Sequence, residues 1–434
     1  MYRNAINNLI NWKNNKQKKP LIIKGARQVG KTWLMKYFGK EFYQNTIYIN
    51  FENNPQLIEI FNNDMKIDRI ILALEIYSNQ KIDCNNTLII FDEIQEAPKA
   101  LTSLKYFHEN APEYQIVCAG SLLGVALHES SSFPVGKVEF LDLYPLSFEE
   151  FLIAIDETSL IKLIHNLDFD LASTFKSSYI DFLKQYYLVG GMPEVVNDFV
   201  LNRDFKRVKE IQKQILLSYE QDFSKHAPTN VVPKIRMIWN NIPSQLSKEN
   251  KKYIYGNIKK GARAKEFESA ILWLKDCGLI YQIYRVNKLE LPLNSYIDLK
   301  AFKLFILDVG LLSCITNLSP TIILNKNEVF NQFKGALTEQ YVLQQLKQIS
   351  SINTFYWTND KNSAEIDFLI DNGETIVPIE VIAEVNLKAK SLKTFSQKYN
   401  PQYSIRTSMA DYKQEDWLIN LPLWSIFEID KIIK

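Results

Sequence analysis

The chain runs to 434 residues, too many for one ordinary core, and its length suggests about three domains. With 46% hydrophobic and 23% charged residues it falls in the soluble globular class. Basic and acidic side chains number 51 and 49, a formal net charge of +2, so bulk charge singles out no partner and only a local basic face remains open.

From the N-terminus, Met1 to Lys19 is rich in Asn and Lys and lacks the apolar centre of a signal segment. No later apolar run approaches a membrane span, and the expected location is the cytoplasm. Cys84, Cys118, Cys277 and Cys314 lie far apart with no C-x-x-C pair, which argues for free thiols in a reducing compartment rather than zinc or disulfides. His108, His128, His165 and His226 stand singly, and core or surface roles outweigh metal binding.

Leu21 to Ile23 is a short apolar run that ends in a glycine-bracketed loop, and Trp33 to Phe38 then carries apolar residues at helical spacing. That is strand, loop, helix. Within it Gly25-Ala26-Arg27-Gln28-Val29-Gly30-Lys31-Thr32 fits G-x-x-x-x-G-K-[ST], whose backbone N–H groups wrap a phosphate chain at a helix N-terminus. Gly25 and Gly30 tolerate the positive φ and close approach that such a wrap demands. In this arrangement Lys31 reaches the β- and γ-phosphates, the Thr32 hydroxyl takes a place on Mg²⁺, and Trp33 counts with the nucleotide-binding residues.

Thr46 to Phe51 reads as a second strand and Ile67 to Ile76 as a helix. Thr87 to Ile94, Thr-Leu-Ile-Ile-Phe-Asp-Glu-Ile, then supplies an apolar strand that ends in two acids, where α/β sheets place ligands. Asp92 is expected to hold Mg²⁺, directly or through water, and Glu93 to orient and deprotonate an attacking water. Tyr114 to Ala119 gives a further buried strand ending at Gly120-Ser121. Ser121 senses the γ-phosphate if that strand neighbours the site, and otherwise caps a helix. Lys137 to Leu143 alternates as a fifth strand, completing a β-α repeat with a mostly parallel sheet over residues 20–145.

At Ser147-Phe148-Glu149-Glu150 a capped helix begins, and helical spacing continues to about Val189 before the break Gly190-Gly191-Met192-Pro193. This reads as a helical lid over the nucleotide. Residues 225–315 read as a winged-helix unit, with Phe267, Ala270, Ile271 and Leu274 on one helix, Gly278 as its stop, and strands at Leu279 to Val286 and Lys303 to Asp308. Lys248, Lys251, Lys252, Lys259, Lys260, Arg263 and Lys265 could sit on a phosphate backbone, or form a solvated face with Glu249, Glu266 and Glu268.

The last stretch offers a helix from Gly335 to Leu346 carrying Glu339, and strands carrying Asp367 and Glu380. That layout resembles the PD-(D/E)xK nucleases, in which two acids bind a divalent ion and a lysine two residues after the second acid positions water. Ile382 stands at the lysine position here, with Lys388 or Lys390 as the remaining sources of such a group. The expectation is a degenerate nuclease site and a fold kept for scaffolding or nucleic-acid contact.

Taken together, the motifs resemble a prokaryotic family of AAA-type (AAA+) ATPases that carry a C-terminal domain of unknown function. The marks are residues 25–32, Phe91-Asp92-Glu93-Ile94-Gln95, Ala119-Gly120-Ser121, residues 133–138, residues 143–151, Gly190-Gly191-Met192-Pro193 and Pro378-Ile379-Glu380-Val381. The resemblance implies that Gly191 and Pro193 lie against the adenine, and that position 137, here Lys137, is where relatives carry an arginine that approaches a neighbouring subunit.

The fold expected is therefore α/β: a P-loop ATPase core (1–146), a helical lid (147–224), a winged helix (225–327) and a nuclease-like α/β domain (328–434). The function expected is Mg²⁺-dependent ATP hydrolysis coupled to DNA contact. The alternative is a slow nucleotide-dependent switch that binds a protein partner without nucleic acid.

Overall fold

Short apolar runs alternating with amphipathic stretches commit the first third of the chain to a strand–helix repeat. In the computed structural model, which describes residues 1–63, 65–120, 124, 133–248, 251–324, 331–359, 364–383 and 389–433, that repeat forms one unit. The unit comprises Tyr2–Tyr144 together with Asp276–Leu279.

Its strands are β1 (Leu21–Lys24), β2 (Asn45–Asn50), β3 (Thr87–Asp92), β4 (Gln115–Ala119) and β5 (Glu139–Asp142). They pair in the order β2-β3-β4-β1-β5, all parallel. Every residue of β3 and β4 is buried, as continuous apolar runs covered on both faces require. The described helices are α1 (Ala5–Asn14), α2 (Lys31–Phe42), α3 (Pro55–Asn63), α4 (Ile67–Ser78) and α5 (Pro98–Asn110). Behind the C-terminal end of β3, Phe51, Phe61 and Phe91 meet edge to face with ring centroids 5.6 Å apart in each pair, a rigid floor under Asp92.

The other unit comprises Met1, Pro145–Lys275 and Ile280–Lys434. Ser147 starts its helices with a reciprocal cap: its Oγ accepts from the Glu150 N–H at 3.0 Å, and its own N–H donates to Glu150 Oε2 at 2.9 Å. Helices follow at Phe148–Ala154, Thr158–His165, Phe169–Thr174, Lys176–Val189, Pro193–Asn202, Phe205–His226, Val232–Leu246 and Ala264–Asp276.

A hairpin of β6 (Ile280–Val286) and β7 (Ile297–Ile306) comes next. It does not stand apart from the C-terminal strands. β8 (Asn353–Thr358), β9 (Glu365–Asp371), β10 (Ile376–Val381), β11 (Ile405–Ser408), β12 (Lys413–Gln414) and β13 (Ile419–Pro422) join it in a mixed sheet ordered β12-β13-β11-β10-β9-β8-β6-β7. The bond across position 327 is the parallel pairing of β6 with β8 at Arg285↔Tyr356. A hairpin leaves one edge of β6 unpaired, and β8, buried at four of its six positions, covers that edge.

Residues 251–263 hold no α-helix; a 3₁₀ turn at Tyr255–Asn257 precedes the helix at Ala264, so most of the basic residues lie on a loop rather than a recognition helix. No helix among the described residues is long and apolar enough to cross a membrane.

Candidate nucleotide site

β1 delivers the chain to Gly25 at φ 144°, and a Cβ built there would stand 2.2 Å from the Leu143 carbonyl oxygen. Only glycine fits. The loop closes at Gly30, the left-handed residue that starts α2, and Ala26 and Val29 are buried beneath it. Lys31 follows, 7% exposed, with its ammonium donating to the carbonyls of Gly25 at 2.8 Å and Ala26 at 2.7 Å. Burial brings its pKa down to about 8; Glu93 and Asp92 oppose that shift and Arg27 adds to it.

Strand β3 carries Asp92 to the same end of the sheet. Asp92 Oδ2 accepts from Thr32 Oγ1 at 2.7 Å and from the Tyr48 hydroxyl at 2.8 Å, and Oδ1 accepts from the Glu93 N–H at 3.1 Å. Glu93 itself leaves the strand in the left-handed region at φ 50°, and its Oε2 accepts from Gln95 Nε2 at 2.6 Å. The two neighbouring carboxylates thus have different partners: Asp92 is tied to the loop and Glu93 to the turn that follows the strand. The burial of Asp92, 3% exposed, makes its polar partners obligatory.

Ser121 lies outside the described residues. The preceding strand, β4, stands between β1 and β3. Trp33 is 41% exposed and stacks on Tyr37 with centroids 5.0 Å apart. Lys137 pairs with Glu109 of its own unit at 2.9 Å.

Three participants had not been singled out from the sequence. Tyr48 occupies an alternate position of β2, where Tyr48 pairs with Ile90 of β3, so the strand pattern signals its neighbourhood but not its hydroxyl's target. Gln95 follows the acid pair directly. Arg3 is buried at 4% exposure, donating from its guanidinium to the Val29 carbonyl at 2.8 Å and the Tyr144 carbonyl at 2.6 Å. An arginine near a chain terminus gives no local sign that it will brace a loop 26 residues away.

Gly191 and Pro193 belong to the other unit. The Gly191 N–H donates to Asp308 Oδ2 at 2.6 Å, its carbonyl accepts from the Leu146 N–H at 2.7 Å, and a Cβ there would stand 2.1 Å from the Leu146 carbonyl oxygen. The expected adenine contact is therefore a backbone turn locked to Leu146 and Asp308. Pro193 is the first residue of the helix Pro193–Asn202.

The three acids of the nuclease-like layout do not gather as a metal site; among the described residues no cluster of three or more metal-binding side chains occurs. Glu339 pairs with Lys251, and Lys303, fully buried, pairs with Glu365 under the ring of Tyr356. Asp367 is half-buried beside them and accepts from the Val381 N–H at 2.8 Å. Desolvation and then Glu339 push its pKa up, against Lys303 and Lys251.

Glu380 takes a separate course. Its Oε2 accepts from the Leu392 N–H at 3.1 Å, and burial raises its pKa. Ile382 donates its N–H to Thr407 at 2.9 Å, Lys390 is exposed at a helix start, and Lys388 lies outside the described residues. Of the three acids of the expected degenerate site, Glu339 is thus paired with Lys251, while Lys303 pairs with Glu365, an acid outside that set.

Residues 17–152 match the family described as AAA domain. Residues 180–322 and 334–426 match two families described only as domains of unknown function (DUF8612 and DUF4143). Among solved structures, a Walker-type ATPase of Pyrococcus abyssi is similar at 16% identity and a TM-score of 0.46, over 72% of this chain and 94% of that one. The Orc1 protein of Aeropyrum pernix in complex with DNA is similar at 10% identity and 0.28, over 73% and 93%. AMPPCP-bound DnaA from Aquifex aeolicus is similar at 14% identity and 0.27, over 62% and 85%. No curated protein matches the chain. The stretch 17–152, which holds the loop, the parallel sheet and the acid pair, is thus the part of the chain that is similar to an AAA domain.

Proposed function

We propose that this chain binds Mg·ATP on residues 25–33 and hydrolyses it, coupling nucleotide state to DNA contact through its C-terminal unit. The observation that carries the reading is the Thr32–Asp92 hydrogen bond of 2.7 Å, which joins the two halves of the nucleotide signature. A hydroxyl and a carboxylate at that spacing are hard oxygen donors suited to Mg²⁺, which would neutralise phosphate charge there. The N–H groups of Ala26 to Gly30 face the phosphates, and Lys31 exchanges its two carbonyl partners for β- and γ-phosphate oxygens. Glu93 takes the proton of a water whose oxygen attacks the γ-phosphorus, and ADP leaves with the bridging oxygen. Ser121, at the exit of β4, is the γ-phosphate sensor in this scheme.

Four cations, Lys259, Lys260, Arg263 and Lys265, are exposed beside the helix Ala264–Asp276 and supply the proposed contact with DNA phosphates. A second reading, a nucleotide switch that binds a protein partner, draws support from the neutralisation of Lys251 by Glu339 and of Lys259 by Glu266.

The test is the ATP hydrolysis rate of wild type and Glu93→Gln, with and without duplex DNA over a salt series. The first reading expects stimulation by DNA, DNA binding that weakens steeply with salt, and a mutant that retains ATP but turns over about 10²–10⁴-fold more slowly. A rate indifferent to DNA moves the reading to the protein-binding switch; unchanged turnover in the mutant removes Glu93 from its role.

A further inference from the structure

The unit that holds the phosphate loop contains a four-residue piece from far down the chain, Asp276–Leu279. This turn ends the helix Ala264–Asp276 and leads into β6. Cys277 and Leu279 are buried, and Gly278 adopts φ +72°, the left-handed region. A Cβ at position 278 would lie 3.0 Å from the Ala26 amide nitrogen and 3.6 Å from both the Ala26 Cα and the Gly25 carbonyl carbon. On the turn's other side, a Cβ on Gly124 would lie 2.3 Å from the Asp276 carbonyl oxygen. The turn therefore rests backbone to backbone on the two residues whose carbonyls hold the Lys31 ammonium.

We propose that Gly278 is a positioning residue of the nucleotide site and that its turn, Asp276–Leu279, responds to loop occupancy. This rests on the reading of residues 25–32 as a nucleotide loop. Polyphosphate binding moves Lys31 off the Gly25 and Ala26 carbonyls, so the peptide groups against which Gly278 packs must readjust.

The experiment compares full-length wild type, Gly278→Ala and the control Gly256→Ala, whose added Cβ would meet only the tip of Ile254 at 4.0 Å. ATP hydrolysis gives KM and kcat, a fluorescent ATP analogue gives Kd, and hydrogen exchange follows residues 264–279 of the wild type with and without ATP.

The expected result is a KM and Kd raised about tenfold in Gly278→Ala with kcat kept within about threefold, no change in Gly256→Ala, and nucleotide-dependent exchange over 264–279. A purely structural glycine would lower the active fraction, and so the apparent kcat, while leaving KM unchanged; that pattern overturns the proposal. If Gly278→Ala does not fold, the wild-type exchange decides, and exchange indifferent to ATP overturns it. A wild type that binds no ATP brings down the nucleotide reading together with this one, whereas wild-type binding with an unshifted KM in the variant brings down this proposal alone.

Discussion

Thr32 and Asp92, 60 residues apart in sequence, share a hydrogen bond of 2.7 Å from Thr32 Oγ1 to Asp92 Oδ2. The same oxygen accepts from Tyr48 at 2.8 Å, so one carboxylate is oriented by two hydroxyls from two different strand–helix segments. Lys36 covers the Tyr48 ring with its ammonium 3.7 Å from the centroid, which holds the phenol in place.

Removing the second hydroxyl tests whether Asp92 needs that orientation. Tyr48→Phe is expected to lower stability by about 1 kcal/mol, the ordinary net worth of a hydrogen bond, and to slow ATP turnover several-fold with a nearly unchanged Kd. Urea denaturation and steady-state hydrolysis check both halves.

Arg3 ties the loop carbonyl of Val29 to the Tyr144 carbonyl. Arg3→Met keeps the length of the side chain but leaves two acceptors without their donor in a buried place, which should cost about 3 kcal/mol. Because one of the two lies in the phosphate loop, ATP affinity should fall as well. Calorimetric nucleotide titration alongside thermal unfolding measures the two effects separately.

His165 offers a pH dependence with a definite sign. Its Nε2 lies 2.9 Å from Glu149 and its Nδ1 contacts Glu428, which also pairs with Lys431 at 2.7 Å. Glu149 first and Glu428 second raise the imidazole pKa to about 9 from 6.5. A folded-state pKa above the unfolded one stabilises fully below pH 6.5 and loses that contribution as pH rises through about 9. Wild type should therefore lose thermal stability across this window more than His165→Gln does, as melting curves at successive pH values would record.

The buried ions of the second sheet should be far less forgiving. Lys303 is fully buried, and Lys303→Met strands Glu365 without its counter-charge, a loss of about 3–5 kcal/mol. Asp367→Asn should be milder, since desolvation and Glu339 already favour the neutral form of that carboxyl. The wild-type stability that comes from Asp367 is present at low pH and lost as pH rises through its raised pKa, and the asparagine variant should lack this slope. Equilibrium unfolding at pH 5, 7 and 9 separates the two variants.

Strands of the first sheet were legible because burial on both faces demands continuous apolar runs, as in β1 (Leu21-Ile22-Ile23) and β3 (Leu88-Ile89-Ile90-Phe91), and because the edge strand β2 alternates through Ile47-Tyr48-Ile49. The helices α1, α3 and α5 were not: at 10, 9 and 13 residues they are too short to hold by propensity alone, and packing decides them. The cap at Ser147 was readable because its two hydrogen bonds close within three residues.

By itself, then, the sequence determined the local chemistry: a glycine-bracketed phosphate loop, a strand ending in Asp92 and Glu93, and a helix start at Ser147, each written in residues adjacent along the chain. Tertiary structure alone decided that Tyr48 reaches Asp92 and Arg3 the loop, that β6 joins β8, that Lys251 pairs with Glu339 and Lys303 with Glu365, and that Gly278 lies on Ala26. Each of these is a meeting of residues distant in sequence, set by strand order and by the need of buried charges and backbone groups for partners, and such needs fix that a partner exists without naming it.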